Sequence, residues 1–109
     1  MIDNDQIDRL QESAGKAARL LRMLGNEHRL LVLCLLADGE MHVGALQQEV
    51  SLSQSALSQH LAKLREDGLV STRREGQTIH YRIADPAVVR LIETLADIYC
   101  PPELRKNPQ

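Results

Sequence analysis

The chain has 109 residues but only two cysteines, Cys34 and Cys100. There is no Cys-x-x-Cys and no βαβ pattern to hold a redox site, so a thiol oxidoreductase has little support. The four histidines, His28, His42, His60 and His80, show no i, i+3 or i, i+4 pairing of the kind a helical metal site uses. No Ser-His-Asp arrangement and no Gly-rich phosphate loop occurs, so catalysis has little support, and no cofactor is expected. The longest apolar run, Leu30–Ala37, is far too short to span a bilayer. The acidic opening Met1-Ile2-Asp3-Asn4-Asp5 is the opposite of a secretory signal. With no repeat and no low-complexity stretch, one soluble cytoplasmic domain is expected over residues 1–100. A frayed tail is expected over residues 101–109.

Net charge is also slight, −2 overall, but it is unevenly placed. From Ser51 to Ala84 the basic residues Lys63, Arg65, Arg73, Arg74 and Arg82 outnumber the acids Glu66, Asp67 and Glu75. From Met1 to Gly15 the acids Asp3, Asp5, Asp8 and Glu12 face only Arg9. An electrostatic footprint for a polyanion is therefore local, and it falls on the segment with the most distinctive pattern.

That segment is SLSQSALSQHLAKLREDGLV, residues 51–70. Leu57, Leu61 and Leu64 stand at i, i+4 and i+7 and form one apolar stripe of a helix. Ser55, Gln59, Ala62 and Lys63 point away from it. Small hydroxyls and an amide on the open face suit a helix that presses against base edges in a major groove. Ser53 is a good N-cap, and Gly68 ends the helix. Two β-forming runs follow, Val70–Arg74 and Thr78–Ala84, joined by Glu75-Gly76-Gln77. The hairpin carries Arg73 and Arg74 before its tip and His80 and Arg82 after it. A helix for the groove with a basic hairpin beside it is the plan of a winged helix-turn-helix.

The rest reads as scaffold. Ile7–Leu24 has a helical apolar period, with acids early and Lys16, Arg19 and Arg22 later, as the helix dipole favours. Gly25-Asn26 breaks it. Glu27–Ala37 is apolar nearly all round from Leu30, so it is expected to be buried. Val43–Val50 is the first limb of the helix-turn-helix, and Ser51-Leu52-Ser53 is the turn. Asp85 and Pro86 open a last helix that runs to about Cys100, where Pro101-Pro102 stops it. Apolar residues fill roughly half of that helix's circumference, more than one core contact requires. The fold class is thus mainly α with one β-hairpin: four helices, the hairpin and a last helix. A homodimer through the first and last helices is expected.

This order, with LGNEHRLLVLCLL at 24–36, SLSQSALSQHLAKLREDGLV at 51–70 and REGQTIHYRI at 74–83, resembles the ArsR/SmtB repressors. The likeness covers about residues 10–100. It implies a homodimeric winged-helix regulator, double-stranded operators with two-fold symmetry, and release of DNA when a chemical signal is sensed. One metal site of that family needs Cys-x-Cys where this chain has His42 and Gly44, and glycine offers no ligand atom. Another needs histidines in the last helix, and Asp85–Tyr99 contains none. No metal site is therefore expected.

CLL in the second helix together with Tyr-Cys-Pro ending the last one resembles the persulfide-sensing branch, the BigR, SqrR and HlyU type. That likeness implies that Cys34 and Cys100 face each other within one subunit. It also implies that they sense reactive sulfur species or an oxidant, bridge, and release the operator. Taken singly, Cys34 reads as a small core hydrophobe and Cys100 as an incidental helix end. No residue stands out as an activator of either thiol, so the order of attack is open. A metal-responsive repressor, and a DNA-binding regulator without thiol chemistry of its own, are the alternatives. Among contact residues, Gln59 suits adenine, with Ser55 and Ser58 beside it. Gln54 and Lys63 are assigned to phosphate or base edges, and His60 to packing or a phosphate. Arg73, Arg74 and Gln77 are assigned to the wing.

Overall fold

The computed structural model describes residues 3–100. Helix α1, Asn4–Leu24, starts three residues before the predicted Ile7, because Asp3 and Gln6 form a capping box. The Asp3 carboxylate accepts the Gln6 N–H at 2.8 Å, and the Gln6 amide oxygen accepts the Asp3 N–H at 3.0 Å. At the other end Arg29 donates to the carbonyls of Met23 and Arg22. Asn26 accepts from the N–H groups of His28 and Arg29. One short corner thus satisfies the end of α1 and the start of α2, Glu27–Leu36.

Helix α2 departs from expectation. Val32, Leu33 and Leu36 are buried, but Leu31 is 40% exposed and Cys34 is open to solvent. A helix that is apolar all round buries only the side its own chain can cover; the other side is left open. The reading of Cys34 as a core residue is therefore overturned.

The strand β1, Met41–His42, leads into α3, Val43–Glu49. It was not predicted, since two residues carry no alternation to read. It pairs antiparallel with β3, Thr78–Ile83, which pairs on its other side with β2, Val70–Glu75. The expected hairpin is thus part of a three-stranded sheet of order β1-β3-β2. Glu75 faces Thr78, leaving Gly76-Gln77 as a two-residue turn. Gly76 supplies the positive φ of 64° that its first position demands.

Helix α4, Gln54–Glu66, is capped by Ser53, whose hydroxyl accepts the Ala56 N–H at 3.1 Å. Its Leu57, Leu61 and Leu64 are almost completely buried, as the stripe predicted. They meet Leu33, Leu46 and Val88 in the core. Each such leucine contributes about 1.5–3 kcal/mol by leaving water. Helix α5, Pro86–Tyr99, begins at the predicted Asp85 cap and Pro86. Ile7 and Leu10 on α1, with Ile98 and Tyr99 on α5, remain exposed large hydrophobic side chains.

Candidate nucleic-acid interface and thiol pair

Burial of the leucine stripe fixes the rotation of α4. Every predicted contact on its open side is where the pattern put it. Gln54, Ser55, Ser58, Gln59 and Lys63 are exposed, and His60 is half-buried on the flank. The N-terminal half of this helix, where a recognition helix meets base edges, therefore presents hydroxyls and amides. The preceding turn is held by Gln47, whose amide donates to the Leu52 carbonyl.

The wing residues divide. Arg74 and Gln77 are exposed near the hairpin tip, and Arg74 makes no ion pair among the described residues. Arg73 is occupied. Its Nε donates to both carboxylate oxygens of Glu40, at 3.1 and 3.2 Å, and its Nη2 donates to Oε1 at 2.6 Å. That grip holds the Glu40 carboxyl below the usual carboxylate range and raises Arg73 further. His80 adds a contact of 3.2 Å to Glu75. The base of the wing is thus an ion-paired joint, and Arg74 lies further out toward the tip.

Sequence reasoning missed an open groove of about 400 Å³ between α4 and the sheet, lined by Ser58, Ala62, Arg65, Glu66 and Tyr81. The signal was available for Arg65, which follows Ser58 by two turns on the same flank. Tyr81 carried none, since nothing in the sequence says which strand face meets the helix.

His42 has a structural task. Its Nδ1 accepts the Ala45 N–H at 3.2 Å, capping α3. Gly44 makes room for that ring: a Cβ there would come within 3.1 Å of it. Among the described residues no cluster of His, Cys, Asp or Glu could hold a metal ion. No helix among them is long and apolar enough to cross a membrane.

Cys34 on α2 and Cys100 at the end of α5 are both free and exposed. The two elements bring them near enough to interact. The Cys34 thiol is raised above its ordinary range, first by desolvation against its neighbours and second by the charge of Cys100. Residues 101–109, which include Arg105, Lys106 and the expected tail, lie outside the described residues.

A capped, groove-sized helix with its polar face open, flanked by a basic two-stranded wing, defines a winged helix-turn-helix regulator that binds DNA. The model of the bacterial regulatory protein arsR family matches residues 26–72. The transcriptional activator HlyU of Vibrio cholerae serotype O1 is 48% identical over 94 residues, covering 86% of this chain and 87% of that one. The structure of reduced HlyU from that species superposes with a TM-score of 0.82 at 48% identity, covering 85% of this chain and 98% of the other. The biofilm growth-associated repressor of Agrobacterium fabrum is 45% identical over 94 residues, 86% of this chain and 80% of its own. A homodimeric winged helix-turn-helix domain from Mycobacterium bovis gives a TM-score of 0.72 at 36% identity, covering 84% of each chain. The chain belongs to the arsR family and is a transcriptional regulator.

Proposed function

We propose that the protein binds two-fold symmetric operator DNA as a homodimer, and that Cys34 and Cys100 form a dithiol switch that releases it. The observation that supports the switch is that two free, exposed thiols on separate elements, α2 and α5, lie close enough for the charge of Cys100 to raise Cys34. The dimer reading rests on the open apolar side chains of α1 and α5, which a second copy would cover. The homodimeric state of the Mycobacterium bovis relative supports it. Such a regulator works in the cytoplasm, where the operator is.

In the chemistry we propose, Cys100 attacks first, because burial and like charge keep Cys34 protonated. The Cys100 thiolate attacks an internal sulfur of a polysulfide. That S–S bond breaks, and the departing hydropolysulfide takes the electron pair. Cys34, having lost its proton to solvent, attacks the sulfur chain now carried on Cys100. A second S–S bond breaks and hydrosulfide leaves. Both thiols are oxidised, the polysulfide is reduced, and the retained sulfur joins α2 to α5. A direct disulfide needs Cβ atoms within about 4.5 Å, and inserted sulfur relaxes that demand. The bridge shifts the two recognition helices away from half-sites about one helical turn apart. A coupling of about 1–3 kcal/mol suffices for regulation.

The test is intact-mass measurement after polysulfide, diamide and peroxide, with operator binding followed for each product. Bridged protein that has lost the operator supports the switch. Bridged protein that binds as before excludes it and leaves a DNA-binding regulator without thiol sensing.

A further inference from the structure

The recognition helix has two flanks, and only one faces the wing. On the other, His60 lies beside the first turn of α2. Its ring centroid is 5.8 Å from that of His28, with the planes tilted at 36°. His60 Nδ1 is buried with no hydrogen-bond partner among the described residues. The groups acting on the ring are cationic from both elements: His28 and Arg29 from α2, Lys63 from α4 itself. Burial first, then those charges, hold the imidazole below the ordinary histidine range. Among the described residues none of the four is ion-paired to a carboxylate. Like charges gathered around an unpartnered imidazole repel one another, and among the described residues only Arg29 is offset, by the carbonyls of Met23 and Arg22. An anion would.

We propose that His28, His60 and Lys63, with Arg29 behind them, form a phosphate-binding shoulder for the DNA backbone, and that filling it takes up a proton. The proposal rests on the DNA-binding reading of α4 and adds a second line of backbone contact opposite the wing. A phosphate oxygen cancels the repulsion between the cations and accepts charge-assisted hydrogen bonds from them. It also favours the imidazolium, which burial and the neighbouring cations disfavour in the free protein. Because the complex holds more protons than its separated parts, affinity falls as pH rises through the histidine range. The same shoulder neutralises one more phosphate when protonated, so the salt dependence is pH-dependent too. The slope of log K against log salt steepens by about 0.9 per phosphate neutralised.

The experiment measures binding of the full chain to a random-sequence DNA duplex over a range of salt, at about pH 6 and about pH 8. Random sequence isolates the backbone contribution. The wild-type slope is expected to be steeper at the lower pH by about 0.9. His60→Gln and His28→Gln are each expected to give the same slope at both pH values. His80→Gln, altered on the wing, keeps the difference. Calorimetry of the wild type in two buffers of different ionisation enthalpy reads the proton uptake directly and needs no variant to fold. A wild-type slope indifferent to pH, with no proton taken up, overturns the shoulder while leaving DNA binding intact. A pH effect that survives in both His28→Gln and His60→Gln overturns it as well. Absence of binding at either pH, even at low salt, removes the DNA-binding reading and this inference together.

Discussion

Arg73 clasps Glu40 across the base of the wing, donating through Nε to both carboxylate oxygens and through Nη2 to one of them. The two residues lie 33 positions apart, so the contact ties the loop before β1 to β2. Glu40 is depressed chiefly by the hydrogen bond from Arg73. A group with a lowered folded pKa contributes stability above its unfolded value and loses it as pH falls through the folded one. Acidification below about pH 4 is therefore expected to loosen the sheet before the helical core. Hydrogen exchange of the amides pairing β1 with β3 checks this. Glu40→Gln should show the same loosening already at neutral pH, and unchanged protection in that variant contradicts the joint.

The occupied state of Arg73 separates it from its neighbour. Arg74→Ala is expected to weaken binding to operator and random duplex alike and to lower the salt slope by about one. Arg73→Ala is expected to act mainly through the wing's rigidity, with the slope nearly unchanged. Titrations at several salt concentrations distinguish the two. Equal slopes for both variants contradict the assignment.

On the recognition helix, Gln59→Ala is expected to relax sequence preference. A good amide-to-adenine pair discriminates by about 1–3 kcal/mol. Comparing operator with random duplex reads the effect. Equal losses on the two contradict a base contact.

The apolar residues left open on α1 make the dimer testable. Leu10→Glu places a charge on the face a second copy would cover. It is expected to shift the protein toward monomer in sedimentation, with the helical signal retained and operator affinity reduced. An unchanged association state contradicts a dimer through α1.

What was legible in the sequence follows from how local the cause is. The stripe of Leu57, Leu61 and Leu64 set the rotation of α4, and short-range chemistry marked its start at Ser53, the start of α5 at Asp85-Pro86 and the hairpin turn at Gly76. The open polar face of the candidate interface came with that rotation. Causes acting across the chain were not visible. The two residues of β1 are held by register with Tyr81 and His80. The exposure of Leu31 and Cys34 depends on what packs against α2, because a helix with apolar residues on all sides has no periodicity to say which side stays open. The pairing of Arg73 with Glu40, and the meeting of His28 with His60, likewise join segments whose proximity only the tertiary fold creates.

The thiol switch is tested most directly by operator binding of the wild type and of Cys34→Ser, before and after polysulfide, with intact mass read on the same samples. The wild type is expected to lose the operator as it gains sulfur and sheds the two thiol hydrogens. Cys34→Ser is expected to gain sulfur on Cys100 alone and stay bound. A Cys34→Ser protein that releases the operator as readily as the wild type contradicts the switch.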